Sequence, residues 1–191
     1  KERQAANADQ DVESVASRFF QFFYPSYEEH CKNIGSKPSL GFVFAGYKAD
    51  HVGHFVQIDL PGSDKPKLLD TNTSTYAGAI FRGQIDVIVR LLKGYDPAVL
   101  EAQAVRPEQK QLFTTELGLL EYNVPYNYLM LQDGIDFALS LVQTTVDMQR
   151  FSFGTLRNKG SIPGVGGNVD VLAITPNDIT WVKKKWLTAG R

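Results

Sequence analysis

The chain has 191 residues, 43% of them hydrophobic and 12% aromatic, which is enough for a real core and within the range of one domain. Twenty basic residues against 21 acidic ones leave a net charge of -1, so no bulk field draws a polyanion and nucleic acid is excluded as the expected partner. One cysteine, Cys31, rules out an internal disulfide framework and fits a reducing compartment, setting the expectation of a cytoplasmic protein.

In chain order, the polar lead KERQAANADQDVE lacks the apolar region of a signal peptide, and no stretch approaches the roughly 18 apolar residues of a membrane helix, so no membrane is expected. With no initiator Met, the chain reads as a fragment or a processed product. Val12, Val15, Phe19, Phe22 and Phe23 recur at spacings of three and four, which predicts a helix with one buried face. Pro25 interrupts or kinks it, and SYEEHCKNIG continues as further helical turns stopped by Gly35 and Pro38.

LGFVFAGY (Leu40 to Tyr47) and HFVQIDL (His54 to Leu60) read as strands, and the link KADHVG signals a hairpin. Pro61 and Gly62 end the second strand, GSDKPK is a loop, and LLDTNTST is a further strand or extended arm. Phe81, Ile85, Ile88 and Leu92 predict a helix closing at Gly94, with Gly83 inside it allowing a close helix contact. DPAVLEAQAV predicts a short helix with Pro97 first, followed by an aromatic and polar stretch to Tyr128. Ile135, Ala138, Leu139, Val142, Thr145 and Val146 mark the strongest helix. The link SFGTLRNKGSIPGVGG leads to strands Val169 to Ile174 and Ile179 to Val182, joined by a turn at Pro176 to Asp178.

Hairpins separated by helices imply antiparallel sheet with helices on its faces. A single domain over residues 1–191 is expected. Its parts are a first helix region at 11–34, an insertion at 96–128, and a glycine loop with C-terminal hairpin at 164–187.

Several constellations offer chemistry and few keep it. GVGG precedes a strand, whereas phosphate-cradling loops follow a strand and open a helix, so a nucleotide cofactor is not expected. His51 and His54 have H-x-x-H spacing but no third ligand in view, so they read as exposed turn histidines and no metal is assigned. Cys31 and His30 are helix neighbours about 100° apart and cannot pair, which leaves Cys31 a buried structural thiol. Asp133 and Asp136 open a helix, where capping and the helix dipole account for acids. Lys183 to Lys185 read as a solvated edge that discourages sheet pairing. Asp170, between Val169 and Val171, must face solvent or find a partner.

GGNVDVLAIT, Gly166 to Thr175, resembles the G-G-x-I-D-V-x-x-I-T segment near the end of proteasome β subunits and their bacterial relatives, the N-terminal nucleophile hydrolases. FVFAGYKADHVGHFVQIDLPG is similar to the family hairpin, the helix from Tyr76 to Gly94 follows in the expected order, and LQDGIDFALSLVQTT is similar to the next family helix. The resemblance runs from Val12 to about Leu187. It implies an α+β fold, a four-layer αββα sandwich of two antiparallel sheets between helices, with the glycine pair Gly166 and Gly167 tucking a loop beneath the core.

The resemblance also implies hydrolysis of a peptide or other amide bond by a terminal Thr, Ser or Cys whose α-amino group acts as base. This chain opens at what corresponds to the first helix, so the strands that carry the nucleophile, its acid and its Lys are expected outside it, and no catalytic residue is assigned within it. Ile162 and Val165 stand where the family carries an acid and a serine, and neither relays a proton. That departure favours a second reading, a non-catalytic assembly subunit. The expected partners are further copies of the chain, or a separate segment bearing the opening strands.

Overall fold

The computed structural model describes residues 11–48, 51–62, 65, 67–69, 77–102, 105–152 and 164–184. The polar lead before Asp11, most of LLDTNTST, the greater part of the link ahead of Gly164, Ile162, and residues 185–187 lie outside the described residues. The protein mixes α-helices with small antiparallel sheets, and the chain divides into two compact units, residues 1–76 with 174–180 and residues 77–173 with 181–191.

In the first unit, helix α1 spans Val12–Ile34. Asp11 caps it by accepting the Ser14 N–H at 2.7 Å, and Gly35 ends it at φ 66, a left-handed value that glycine adopts freely. Of the two expected outcomes at Pro25, interruption or a kink, the interruption is overturned, because the helix runs through Pro25. A mid-helix proline costs about 3 kcal/mol, and packing of the same helix on the sheet offsets it. The buried stripe also differs from the expected one. It follows Ala16, Phe19, Phe23, Tyr27 and Cys31, while Phe22 is 82% exposed.

Strands β1 (Leu40–Tyr47), β2 (Gly53–Leu60) and β3 (Lys67–Leu69) form an antiparallel sheet in the order β1-β2-β3. The β1–β2 register is unbroken from Leu40 opposite Leu60 to Tyr47 opposite Gly53. Because side chains alternate along a strand, Phe42, Phe44, His54, Val56, Ile58 and Leu60 share the face toward α1. There Phe19 meets Phe42 and Phe44 with ring centroids 4.9 and 5.2 Å apart, and Phe23 meets Phe42 at 5.1 Å. Tyr27, Cys31, Ile58 and Leu60 form the core beneath, and the Tyr27 hydroxyl donates to the Pro38 carbonyl at 2.8 Å. The opposite face carries Val43, Ala45, Tyr47 and Phe55 together with Gln57 and Asp59, and of these Val43, Ala45, Tyr47 and Asp59 are exposed.

In the second unit, helix α2 spans Asp86–Lys93, helix α3 Lys110–Gly118 and helix α4 Leu131–Phe151. The expected start of α2 near Phe81 is corrected. Gly83 lies ahead of the helix at φ 79 in open space, so it makes a bend and no helix contact. Gly94 closes α2 at φ 72. A side chain there would also collide with the Leu120 carbonyl, which lies 2.7 Å from where its Cβ would stand.

The short helix with Pro97 first is a 3₁₀ turn over Pro97–Glu101, capped by Asp96, which accepts the Ala98 N–H at 2.9 Å. Helix α2 packs on α4, where Thr145, on the expected stripe, is buried together with Leu141, which the pattern did not mark, while Ala138 is exposed and Val142 half-buried. The buried Thr145 hydroxyl is satisfied by the Leu141 carbonyl at 2.9 Å. Strands β4 (Val171–Ile174) and β5 (Ile179–Lys183) make the expected hairpin, its turn closed by the Thr175 N–H on the Asp178 carbonyl at 2.9 Å.

Candidate functional site

Two polar constellations stand out, one in each unit. In the first, Glu13 in the opening turn of α1 meets Lys48 at the end of β1 and His54 near the start of β2. Lys48 Nζ lies 2.8 Å from Glu13 Oε1, and His54 Nδ1 lies 3.6 Å from the same oxygen. The hydrogen bond from Lys48 holds the Glu13 carboxyl below its ordinary range, against the opposing effect of burial. The other carboxylate oxygen, Oε2, and His54 Nε2 are both buried, with no hydrogen-bond partner among the described residues.

Local packing explains the arrangement. Gly46 pairs with His54 across the ladder, and a Cβ at Gly46 would come within 3.0 Å of Val12 Cγ2. The missing side chain thus lets the first turn of α1 descend onto the hairpin. His54, only 8% exposed, is therefore not the exposed turn histidine expected from its spacing with His51. His51 itself is exposed, at φ 62 in the hairpin link. The signal for His54 was present in HFVQIDL, since His54, Val56, Ile58 and Leu60 share the period-two face that β2 buries. A carboxylate beside an imidazole is a proton-holding arrangement, and here the pair lies between α1 and the hairpin. It fastens the helix to the hairpin.

The second constellation ties down the glycine-rich segment. Gln149 Oε1, near the end of α4, accepts the backbone N–H groups of both Gly164 and Val165 at 2.9 Å, while Gln149 Nε2 donates to Gln84 Oε1 at 2.6 Å. A Cβ on Gly164 would stand 2.6 Å from Gln84 Nε2. The close approach thus falls at Gly164, whereas Gly167 supplies a left-handed turn at φ 81 and Gly166 faces open space. Nothing in the sequence singled out Gln149, a polar residue on a helix with many.

The remaining candidates take structural places. Cys31 is buried in the core and His30 exposed. Asp133 accepts the Met130 N–H at 3.0 Å and caps α4, and Asp136 accepts from Gln132 at 2.9 Å. Asp170 is exposed just ahead of β4. Lys183 ends β5 and Lys184 lies over the Trp181 ring at 5.5 Å; Lys185 is outside the described residues. Among the described residues, no group of three His, Cys, Asp or Glu side chains could hold a metal ion, and no helix is long and apolar enough to cross a membrane.

Comparison with known proteins adds no relative: no protein-family model, no curated protein and no solved structure matches the chain.

Proposed function

We propose that residues 1–191 form the larger part of a proteasome-like N-terminal nucleophile hydrolase, cleaving a peptide or other amide bond with a nucleophile carried outside them. In such a reaction a terminal hydroxyl or thiol attacks the carbonyl, the amine departs, and water releases the acyl group. The backbone donors that hold the oxyanion, each worth roughly 3 to 4 kcal/mol, belong with the nucleophile and are not assigned here.

One observation supports the reading beyond the sequence resemblance. The sheet β1-β2-β3 has α1 on one face and Val43, Ala45, Tyr47 and Phe55 on the other. In a four-layer sandwich a sheet carries a helix on one face and a second sheet on the other, and the apolar side chains that β1 turns to the open face suit such cover, although Gln57 and Asp59 of β2 share that face.

The reading is tested by intact mass and N-terminal sequencing of the protein expressed from its native gene, with and without an electrophile that traps terminal nucleophiles. One adduct on a terminal Thr, Ser or Cys is the expected result. A product with no such terminus overturns it.

The non-catalytic assembly subunit is kept as a second reading because Val165 is apolar and its N–H is committed to Gln149. A large particle that takes no label favours this second reading, and a labelled terminus removes it.

A further inference from the structure

Helix α3 lies in the insertion that the sequence left least readable. It is nine residues long, Lys110–Gly118, and has no buried residue. Helices shorter than about 12 to 15 residues are marginal in water, because nucleation is costly and packing supplies most of their stability. Within its unit α3 rests mainly on two short 3₁₀ turns, Pro97–Glu101 and Pro107–Gln109. Yet its side chains are not those of a solvated helix. Leu112 is 62% exposed, Phe113 40%, and Leu119 and Leu120 just beyond its end 77% and 54%. Their spacing with Glu116, three and four residues apart, gathers them along one side.

The charges say what covers that side. A helix favours acids at its N-terminus and bases at its C-terminus, and α3 has the reverse order. Arg106 precedes it and Lys110 opens it, while Glu116 sits in its last turn. Lys110 is taken by Glu101, with Nζ 2.9 Å from both carboxylate oxygens. Arg106 and Glu116 make no ion pair among the described residues. Glu108 stands two residues from Arg106 and does not share its direction.

An unpaired base at one end and an unpaired acid at the other complement themselves when two copies of the helix run antiparallel. Each Arg106 then meets the other copy's Glu116, and Leu112 and Phe113, beside the midpoint residue 111, meet at the two-fold axis. We infer that α3 is the contact through which two copies of this chain associate, apolar at its centre and closed by two reciprocal Arg106–Glu116 pairs. This inference is independent of the hydrolase reading. A helix about 14 Å long gives a small interface, of the size of weak or transient contacts, so the association is reversible.

Sedimentation velocity of the whole chain over about 5 to 200 μM tests it, with circular dichroism confirming that each variant keeps the native helix content. The native chain is expected to form a dimer. Glu116→Arg, which sets two bases against each other, should raise Kd about tenfold, and Arg106→Glu combined with Glu116→Arg should restore it to within about threefold. Phe113→Glu should abolish dimerisation. If Glu116→Arg alters the fold, Glu116→Gln serves instead, with a Kd about threefold weaker. A native chain that stays monomeric throughout overturns the proposal. So does a dimer indifferent to these substitutions, or a double swap as weak as the single one.

Discussion

The two faces of the sheet β1-β2-β3 differ both in their residues and in their cover. On one, Phe42, Phe44, Val56, Ile58 and Leu60 lie under α1, with Phe19 and Phe23 seated among the strand aromatics. On the other, Val43, Ala45 and Tyr47 are exposed and share the face with Gln57 and Asp59. A strand that is apolar on both sides reads as a near-continuous hydrophobic run, whereas an antiparallel strand with one solvated face alternates apolar and polar residues, as β2 does over His54 to Leu60. LGFVFAGY has no polar residue before its final Tyr47. The difference teaches that β1 is apolar on both sides while β2 alternates, so α1 covers one face and the proposed second layer would have to cover a face that mixes Val43, Ala45 and Tyr47 with Gln57 and Asp59.

Substitutions on the two faces sharpen the contrast. Ile58→Ala, at a fully buried position, is expected to cost about 3 kcal/mol, since it removes apolar contact and leaves a cavity. Urea denaturation followed by circular dichroism measures it. Phe19→Ala removes a ring that touches three others, Phe23, Phe42 and Phe44, but starts from a partly buried position, so about 2 kcal/mol is expected in the same assay.

Glu13→Gln acts at the margin of the covered face and is expected to cost less than about 1 kcal/mol at neutral pH, because the pair it weakens is partly solvated. Its signature is pH dependence. The Glu13 carboxyl is held below its ordinary value of 4.5 by Lys48, so in acid the unfolded chain takes up the proton first. The stabilisation is therefore complete above pH 4.5 and lost as pH falls through the folded-state value. Native and Glu13→Gln proteins should converge in stability at low pH, and a gap that stays constant would contradict the Lys48–Glu13 contact. The smallest effect is expected on the open face, where Val43→Ser in residues 1–191 alone should change stability by no more than about 0.5 kcal/mol.

What could be read in advance follows the same physics. Strand β1 was legible residue for residue, because its β-branched and aromatic run is bounded by Pro38 and the hairpin link, and the ends of α1 were legible in Asp11 and Gly35. The stripe on α1 was misplaced because Val15 and Phe22 fit the helical period equally well, and only the sheet decides which side is buried. Helix α3 escaped notice since it has neither a side-chain cap nor a buried residue to give it period. His54 was misjudged by pairing it with His51 in the link, when its place in the β2 alternation made it a core residue. The clamp of Gln149 on Gly164 and Val165 joins residues 15 and 16 positions apart, a relation that no local pattern carries.

The idea that a second layer covers the open face is tested most directly by placing a thiol at Val43 in the protein expressed from its native gene and measuring its reaction with a maleimide. Buried Cys31 supplies no competing signal, and Phe22→Cys, at a position 82% exposed on α1, gives the reference rate. A thiol at 43 that reacts about a hundredfold more slowly than the reference is the expected result. Equal rates would mean that nothing lies on that face, and the two-sheet core would be wrong.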